Sequence, residues 1–138
     1  MAYYSQAQKA AIAPAIKAIC KKYGVSASLS VRNMSEVILT IKSGVIDFIG
    51  VANEVNKQRA DRRGEVFRPI NNGHIQVNQF HIREGFPGVA GDFLSEAYAV
   101  MNNGNHDRSE SQSDYFDVGF YASLNIGRWD KPYELKAA

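Results

Sequence analysis

Ser26-Ala27-Ser28-Leu29-Ser30-Val31-Arg32, then Asn33-Met34-Ser35, then Glu36-Val37-Ile38-Leu39-Thr40-Ile41-Lys42 is the stretch that decides the fold. Ala27, Leu29 and Val31 alternate with Ser26, Ser28, Ser30 and Arg32, while Val37, Leu39 and Ile41 alternate with Thr40 and Lys42. Successive strand side chains point to opposite faces, so a period of two predicts two half-buried strands. Asn33-Met34-Ser35 between them predicts a turn and therefore a hairpin. Ile38 alone breaks the polar face, and Ser43-Gly44 ends the second run.

On the N-terminal side, Ser5 followed by Gln8 is a capping-box pattern that announces a helix. Pro14 predicts either a kink or a division into two helices, because proline lacks the N–H and crowds the preceding turn. Ile12, Ile16, Ile19, Cys20 and Tyr23 form one apolar stripe, and Gly24 is placed to end the helix. On the C-terminal side, Asp47 predicts a cap for a helix running to about Arg62, with Phe48, Ala52, Val55 and Arg59 on one face. A third strand over Val45–Val51 is the alternative there. Arg63-Gly64 closes the helix, and residues 65–73 read as loop.

His74–Ile82 has strand composition, and Arg83–Gly91, with Pro87, reads as loop. Asp92 predicts the cap of a further helix with Phe93, Leu94, Ala97, Tyr98 and Met101 on its apolar face. A polar loop follows to Ser113. Val118, Phe120, Ala122, Leu124 and Ile126 then alternate cleanly as a strand that Gly127 stops, leaving Arg128–Tyr133 as an extended tail. The order helix, strand, strand, helix, strand, helix, strand predicts a single α+β domain over 1–138. Its sheet is expected to be mainly antiparallel, of about four strands, with two to three helices packed on one face.

Composition narrows the function classes. The 138 residues are 45% hydrophobic and 22% charged, which excludes a largely disordered chain, a collagen and a coiled coil. A net charge of +2 argues against a DNA mimic and is too small to claim nucleic-acid binding by itself. Cys20 is the only cysteine, so no intramolecular disulfide can form. No stretch approaches the ~20 apolar residues of a membrane span, and the N-terminus lacks the pattern of a signal peptide. The expectation is a reduced, cytoplasmic protein with no membrane partner.

Charge is unevenly placed. Lys57, Arg59, Arg62, Arg63 and Arg68 face only Asp61 and Glu65 over 57–68, a net of +3. Asp107, Glu110, Asp114 and Asp117 face only Arg108 over 107–117, a net of −3. Arg59, Arg62, Arg63 and Arg68, interleaved with Phe67, are candidates for partner or phosphate contacts. A solvated helix end is the bland reading, since cations suit a helix C-terminus. Asp107, Asp114, Asp117 and Trp129 are the other candidate contacts, because Trp and Arg are enriched in interface hot spots.

Metal and catalytic motifs are weak. Asn103, Asn105, Asp107, Ser109, Ser111 and Asp114 match calcium-loop spacing, but Arg108 stands where glycine is needed and Asp114 where a bidentate Glu is usual. His74, His81 and His106 lack the spacing of a zinc site. His106 beside Asp107 is the one adjacent His–acid pair, and neighbours in sequence rarely point together. Cys20 lies on an apolar stripe and reads as a core residue. The 85–91 glycines follow neither phosphate-loop nor dinucleotide spacing, although they open a helix whose N–H groups could meet an anion. Asp114 and Asp117 could serve a metal or acid–base site, with no partner ligands evident in sequence. No metal, no cofactor and no catalytic residue is therefore expected.

Asp114-Tyr115-Phe116-Asp117-Val118-Gly119-Phe120-Tyr121, followed by Asn125-Ile126-Gly127-Arg128-Trp129-Asp130-Lys131-Pro132-Tyr133, resembles the end of small phage- and plasmid-encoded proteins. These are grouped as large polyvalent protein-associated α+β domains. The Ala/Ile-rich first helix, Ser28-Leu29-Ser30-Val31-Arg32 and Leu39-Thr40-Ile41 are similar too, whereas the chain from about Gly50 to Gly91 is not. The resemblance implies a mobile-element origin and an accessory role in the bacterial cytoplasm, and it supplies no active site. The expected function is binding to a host or defence macromolecular complex, in the manner of an anti-CRISPR inhibitor that acts sterically. A nucleic-acid-binding accessory protein is the alternative, and a small metal-dependent enzyme using Asp114 and Asp117 the second.

Overall fold

The computed structural model describes residues 3–103 and 119–137. The helix α1 spans Gln6–Tyr23 as one element that continues through Pro14. Its capping box forms as expected: the Gln8 N–H donates to Ser5 Oγ at 3.1 Å, and the Ser5 N–H to Gln8 Oε1 at 2.7 Å. Gly24 ends it with φ 68°, which a β-carbon would oppose. The hairpin follows as β1 (Val25–Arg32) and β2 (Glu36–Gly44), antiparallel, with Leu29 opposite Leu39. Asn33 and Met34 both take positive φ, 54° and 53°, the twist that a tight hairpin turn needs.

The helical reading of the next segment holds over the strand alternative. The helix α2 runs Phe48–Arg63, capped by Asp47, whose Oδ1 accepts the Gly50 N–H at 2.9 Å, and closed by Gly64. The loop behind it is tied down by Asn53, whose side chain accepts from the Ile70 N–H at 2.8 Å and donates to the Ile70 carbonyl at 3.4 Å.

Four expectations need correction. The loop expected over Arg83–Gly91 is helical over Ile82–Gly85 and from Val89, and the extended tail expected over Arg128–Tyr133 closes a tight turn at residues 128–131. The strand expected over His74–Ile82 is only β3, Ile75–Gln76, with one further bond from the Val77 N–H to Leu124 O. Asn78 ends the pairing. Its side chain accepts the Phe80 N–H at 3.1 Å and its carbonyl the His81 N–H at 3.0 Å, so a local turn outcompetes the ladder. The chain then forms the single turn α3, Ile82–Gly85. The last correction concerns Asp92, which is not a cap. The helix α4 begins earlier, at Val89, and runs to Met101 from Gly88, whose φ of 74° lets the backbone enter directly. Asp92 lies in the first turn and accepts from Arg83 at 2.7 Å.

The strands β4 (Tyr121–Ile126) and β5 (Glu134–Leu135) complete the sheet. Strand order is β1-β2-β4-β3, with β5 beside the far end of β2. The fold is the expected α+β class, with helices packed against the sheet. The central β2–β4 pair is parallel, joined by the long excursion through α2, β3, α3 and α4. The inward residues Val37, Leu39, Ile41, Leu124 and Ile126 are buried under α1 and α4 together with Ile16, Phe93, Leu94 and Met101. Cys20 belongs to this core, and burial pushes its thiol pKa up. Among the described residues no helix is long and apolar enough to cross a membrane.

Candidate functional site

Because helices cover one face only, the opposite face of the sheet is open. Strand register puts its side chains in rows. Ser28, Thr40, Asn125 and Gln76 lie side by side across β1, β2, β4 and β3. The next row is Ser30, Ile38 and Ser123, and the one after is Arg32, Glu36 and Tyr121. A groove of about 500 Å³ runs over this surface, with Lys42, His74, Arg128 and Trp129 around one end. Its floor, Ser28, Ser30, Ile38, Thr40, Gln76 and Asn125, is uncharged and mostly hydrogen-bonding, and each of these residues sits on a paired strand.

Trp129 is placed by backbone contacts that sequence spacing does not reveal. The Gly127 N–H donates to Ile41 O at 2.8 Å, then residues 128–131 form a tight loop. The Arg128 N–H donates to Lys131 O at 2.8 Å, and the Lys131 N–H returns to Arg128 O at 3.2 Å. Gly73 and Gly127, both at positive φ, let two segments of the chain approach so closely that a β-carbon on Gly127 would sit 2.2 Å from Gly73 O. The Tyr133 N–H donates to the same carbonyl at 2.9 Å, and its hydroxyl to Ile46 O at 2.6 Å. The loop is thus held at both ends while Trp129 stays 82% exposed and Tyr121 53% exposed.

Burial, with the nearby Asp47 charge, pushes the Tyr133 pKa up to about 12. The raised pKa means the fold prefers the protonated phenol. Its contribution is full below the ordinary value of 10.0 and is lost as pH rises through about 12. Unfolding free energy measured across that alkaline window should fall in the wild type. The Tyr133→Phe variant should show a flatter decline there, and an equally steep one would contradict this.

The cations on the open face are largely engaged. Arg32 pairs with Glu36 at 2.5 Å, and Arg128 with Asp130 at 3.3 Å. Glu36 also accepts the Ser123 hydroxyl. Among the described residues Lys42 has no carboxylate partner.

The other sequence candidates do not converge on Trp129. Arg59 donates to the Glu84 carbonyl at 3.1 Å and lines a separate groove with Asn56 and His81. Arg62 bonds the Gln58 carbonyl at 3.4 Å on its own helix. Arg63 and Arg68 are exposed. Asp107, Asp114 and Asp117 lie outside the described residues, as do His106 and the calcium-like frame after Asn103. Among the described residues no group of three or more His, Cys, Asp or Glu could hold a metal.

Two features escaped the sequence reading. His81 Nδ1 lies 2.5 Å from Glu84 Oε2, a pair signalled by i,i+3 spacing, with both side chains more than half exposed. Residues 3–35 carry Lys9, Lys17, Lys21, Lys22 and Arg32 and no acidic residue, a segregation that a count by segment would have found. Compared with known proteins, the chain matches no family model, no curated protein and no solved structure.

Proposed function

We propose that this chain is an accessory protein that works by binding, and that it occupies a protein surface of a host macromolecular complex through the open face of its sheet. The observation that carries this is Trp129: an exposed indole on a glycine-pinned loop beside an in-register polar face. A rigid aromatic rimmed by hydrogen-bonding groups has the composition of an interface hot spot. The mobile-element origin and the anti-defence role, with the cytoplasm of a bacterial host as its place of action, rest on the resemblance of the 114–133 segment. Inhibition would be steric, and the proposal assigns no catalytic step, metal or cofactor.

Nucleic acid is the second reading, favoured by Trp129 beside Lys42, His74 and Arg128, a composition suited to stacking single strands. It ranks second because affinity for phosphates requires free cations, and Arg32 and Arg128 already face carboxylates.

The test is affinity purification of tagged wild-type and Trp129→Ala chains from bacteria, with and without nuclease, read by mass spectrometry. The expected result is a protein partner that survives nuclease and is recovered at least tenfold less with Trp129→Ala. The variant's unfolding midpoint should be unchanged, since exposed side chains usually alter stability by less than about 0.5 kcal/mol. Equal recovery with both chains would remove the open face as the site. A partner that vanishes with nuclease would move the assignment to nucleic acid.

A further inference from the structure

A second surface, independent of the open face, lies along β1. This strand is paired on one side only, by β2. Its outward N–H and C=O groups from Val25 to Val31 make no other backbone bond among the described residues. Long edge strands are normally blunted by proline, by charged side chains, by bulges or by inward-pointing charge. β1 has no proline, lysine or inward-pointing charge; its one charged residue, Arg32, is its last, and its one irregularity falls between Ser26 and Ala27, leaving Ala27–Arg32 in regular register.

Beneath this edge a groove of about 590 Å³ separates β1 from α1. Its floor is apolar, formed by Ile16, Cys20, Val25 and Leu29, and Lys9, Lys17 and Lys21 stand on its rim. Lys17 and Lys21 are i,i+4 neighbours of like charge, an arrangement that slightly destabilises an isolated helix. Among the described residues none of the three rim lysines has a carboxylate partner, although Lys22 beside them has one in Glu96 at 3.0 Å.

We infer that the β1 edge and the α1 lysine rim form a docking site for an extended acidic segment of a protein partner, which adds to the sheet as an outer strand. Main-chain bonds to β1 would supply affinity, and alternate side chains would enter the apolar floor while Asp or Glu residues meet the lysines. Charge decides among occupants. Pairing β1 with β1 of a second copy would bring two lysine rims together and is opposed by repulsion. A nucleic acid would satisfy the lysines and leave the apolar floor without a partner.

The test is selection of displayed random twelve-residue peptides on the intact chain, followed by amide NMR with the enriched peptides. Enriched sequences should alternate apolar residues with Asp or Glu, and the shifts should fall on β1 and the facing side of α1. Methylating alternate peptide nitrogens should abolish binding. The Lys9→Glu/Lys17→Glu/Lys21→Glu variant should keep its circular-dichroism melt, bind the acidic peptide at least tenfold more weakly, and select basic peptides instead. Trp129→Ala should leave peptide affinity unchanged, which separates this site from the open face. Enrichment of basic peptides or of none, shifts confined elsewhere, or unchanged affinity in the triple variant would overturn the assignment. So would a dimer that protects β1 amides from exchange, or a single-stranded oligonucleotide that displaces the peptide.

Discussion

A Phe48→Ala variant is expected to lose about 3–5 kcal/mol of stability, the range for removing a buried aromatic side chain. Phe48 is fully buried at the start of α2. Its ring meets Tyr133 edge-on at 5.4 Å, Phe93 at 5.8 Å and Phe86 at 6.3 Å. One side chain therefore joins α2, the segment before α4, α4 itself and the C-terminal tail. Truncation leaves a cavity that four separate segments would have to shift to fill. Whole domains are stable by only about 5–15 kcal/mol, so the variant should be substantially unfolded in moderate urea. Phe80→Ala is the control: Phe80 is 79% exposed, and its removal should change stability by less than about 0.5 kcal/mol. Urea titrations followed by circular dichroism give both numbers. A Phe48→Ala loss below about 1 kcal/mol would mean the cluster collapses around the gap and is no rigid junction.

Local signals carried much of this fold into the sequence. Ser5 with Gln8, Asp47, Gly24 and Gly64 act on backbone groups within a few residues, so the ends of α1 and α2 were readable from the chain. The hairpin was readable because alternation over Ser26–Lys42 has no helical explanation. Alternation says which side chains share a face, however, and not which strand lies alongside. The parallel β2–β4 pairing was therefore invisible. The end of β3 was invisible because the side chain of Asn78 decides it through a turn that strand composition conceals.

The candidate contacts divide in the same way. Arg59, Arg62, Arg63 and Arg68 stood out as a run, yet the fold ties Arg59 and Arg62 to backbone carbonyls. Lys9, Lys17 and Lys21 form no run, and only helix geometry with β1 beside it brings them to one groove. Trp129 was conspicuous as the sole tryptophan. What fixes it, the approach of Gly73 to Gly127, joins positions far apart in the chain and left no mark in the pattern.

That approach sets the second large expectation, a loss of about 2–4 kcal/mol for Gly127→Ala, from a left-handed backbone term of about 1–2 kcal/mol and a crowding term of similar size. Gly127 has φ 66°, and its added β-carbon would lie 2.2 Å from Gly73 O and 2.7 Å from Tyr133 N. Neither is the end of a flexible side chain, so backbone must move. Gly73 O is also the acceptor for the Tyr133 N–H, so moving it opens the bond that closes the tail behind the Trp129 loop. Gly64→Ala isolates the conformational part, because Gly64 has the same φ of 66° and its β-carbon would meet nothing within 4 Å. It should cost about 1 kcal/mol, and the difference between the variants measures the close contact. Trp129, as the sole tryptophan, reports the loop directly through its fluorescence, which should change in folded Gly127→Ala and stay constant in Gly64→Ala. Equal losses in the two variants would show that the loop yields without cost. Trp129 would then be a mobile side chain, and an anchor pre-set by Gly73 and Gly127 could no longer explain binding at the open face.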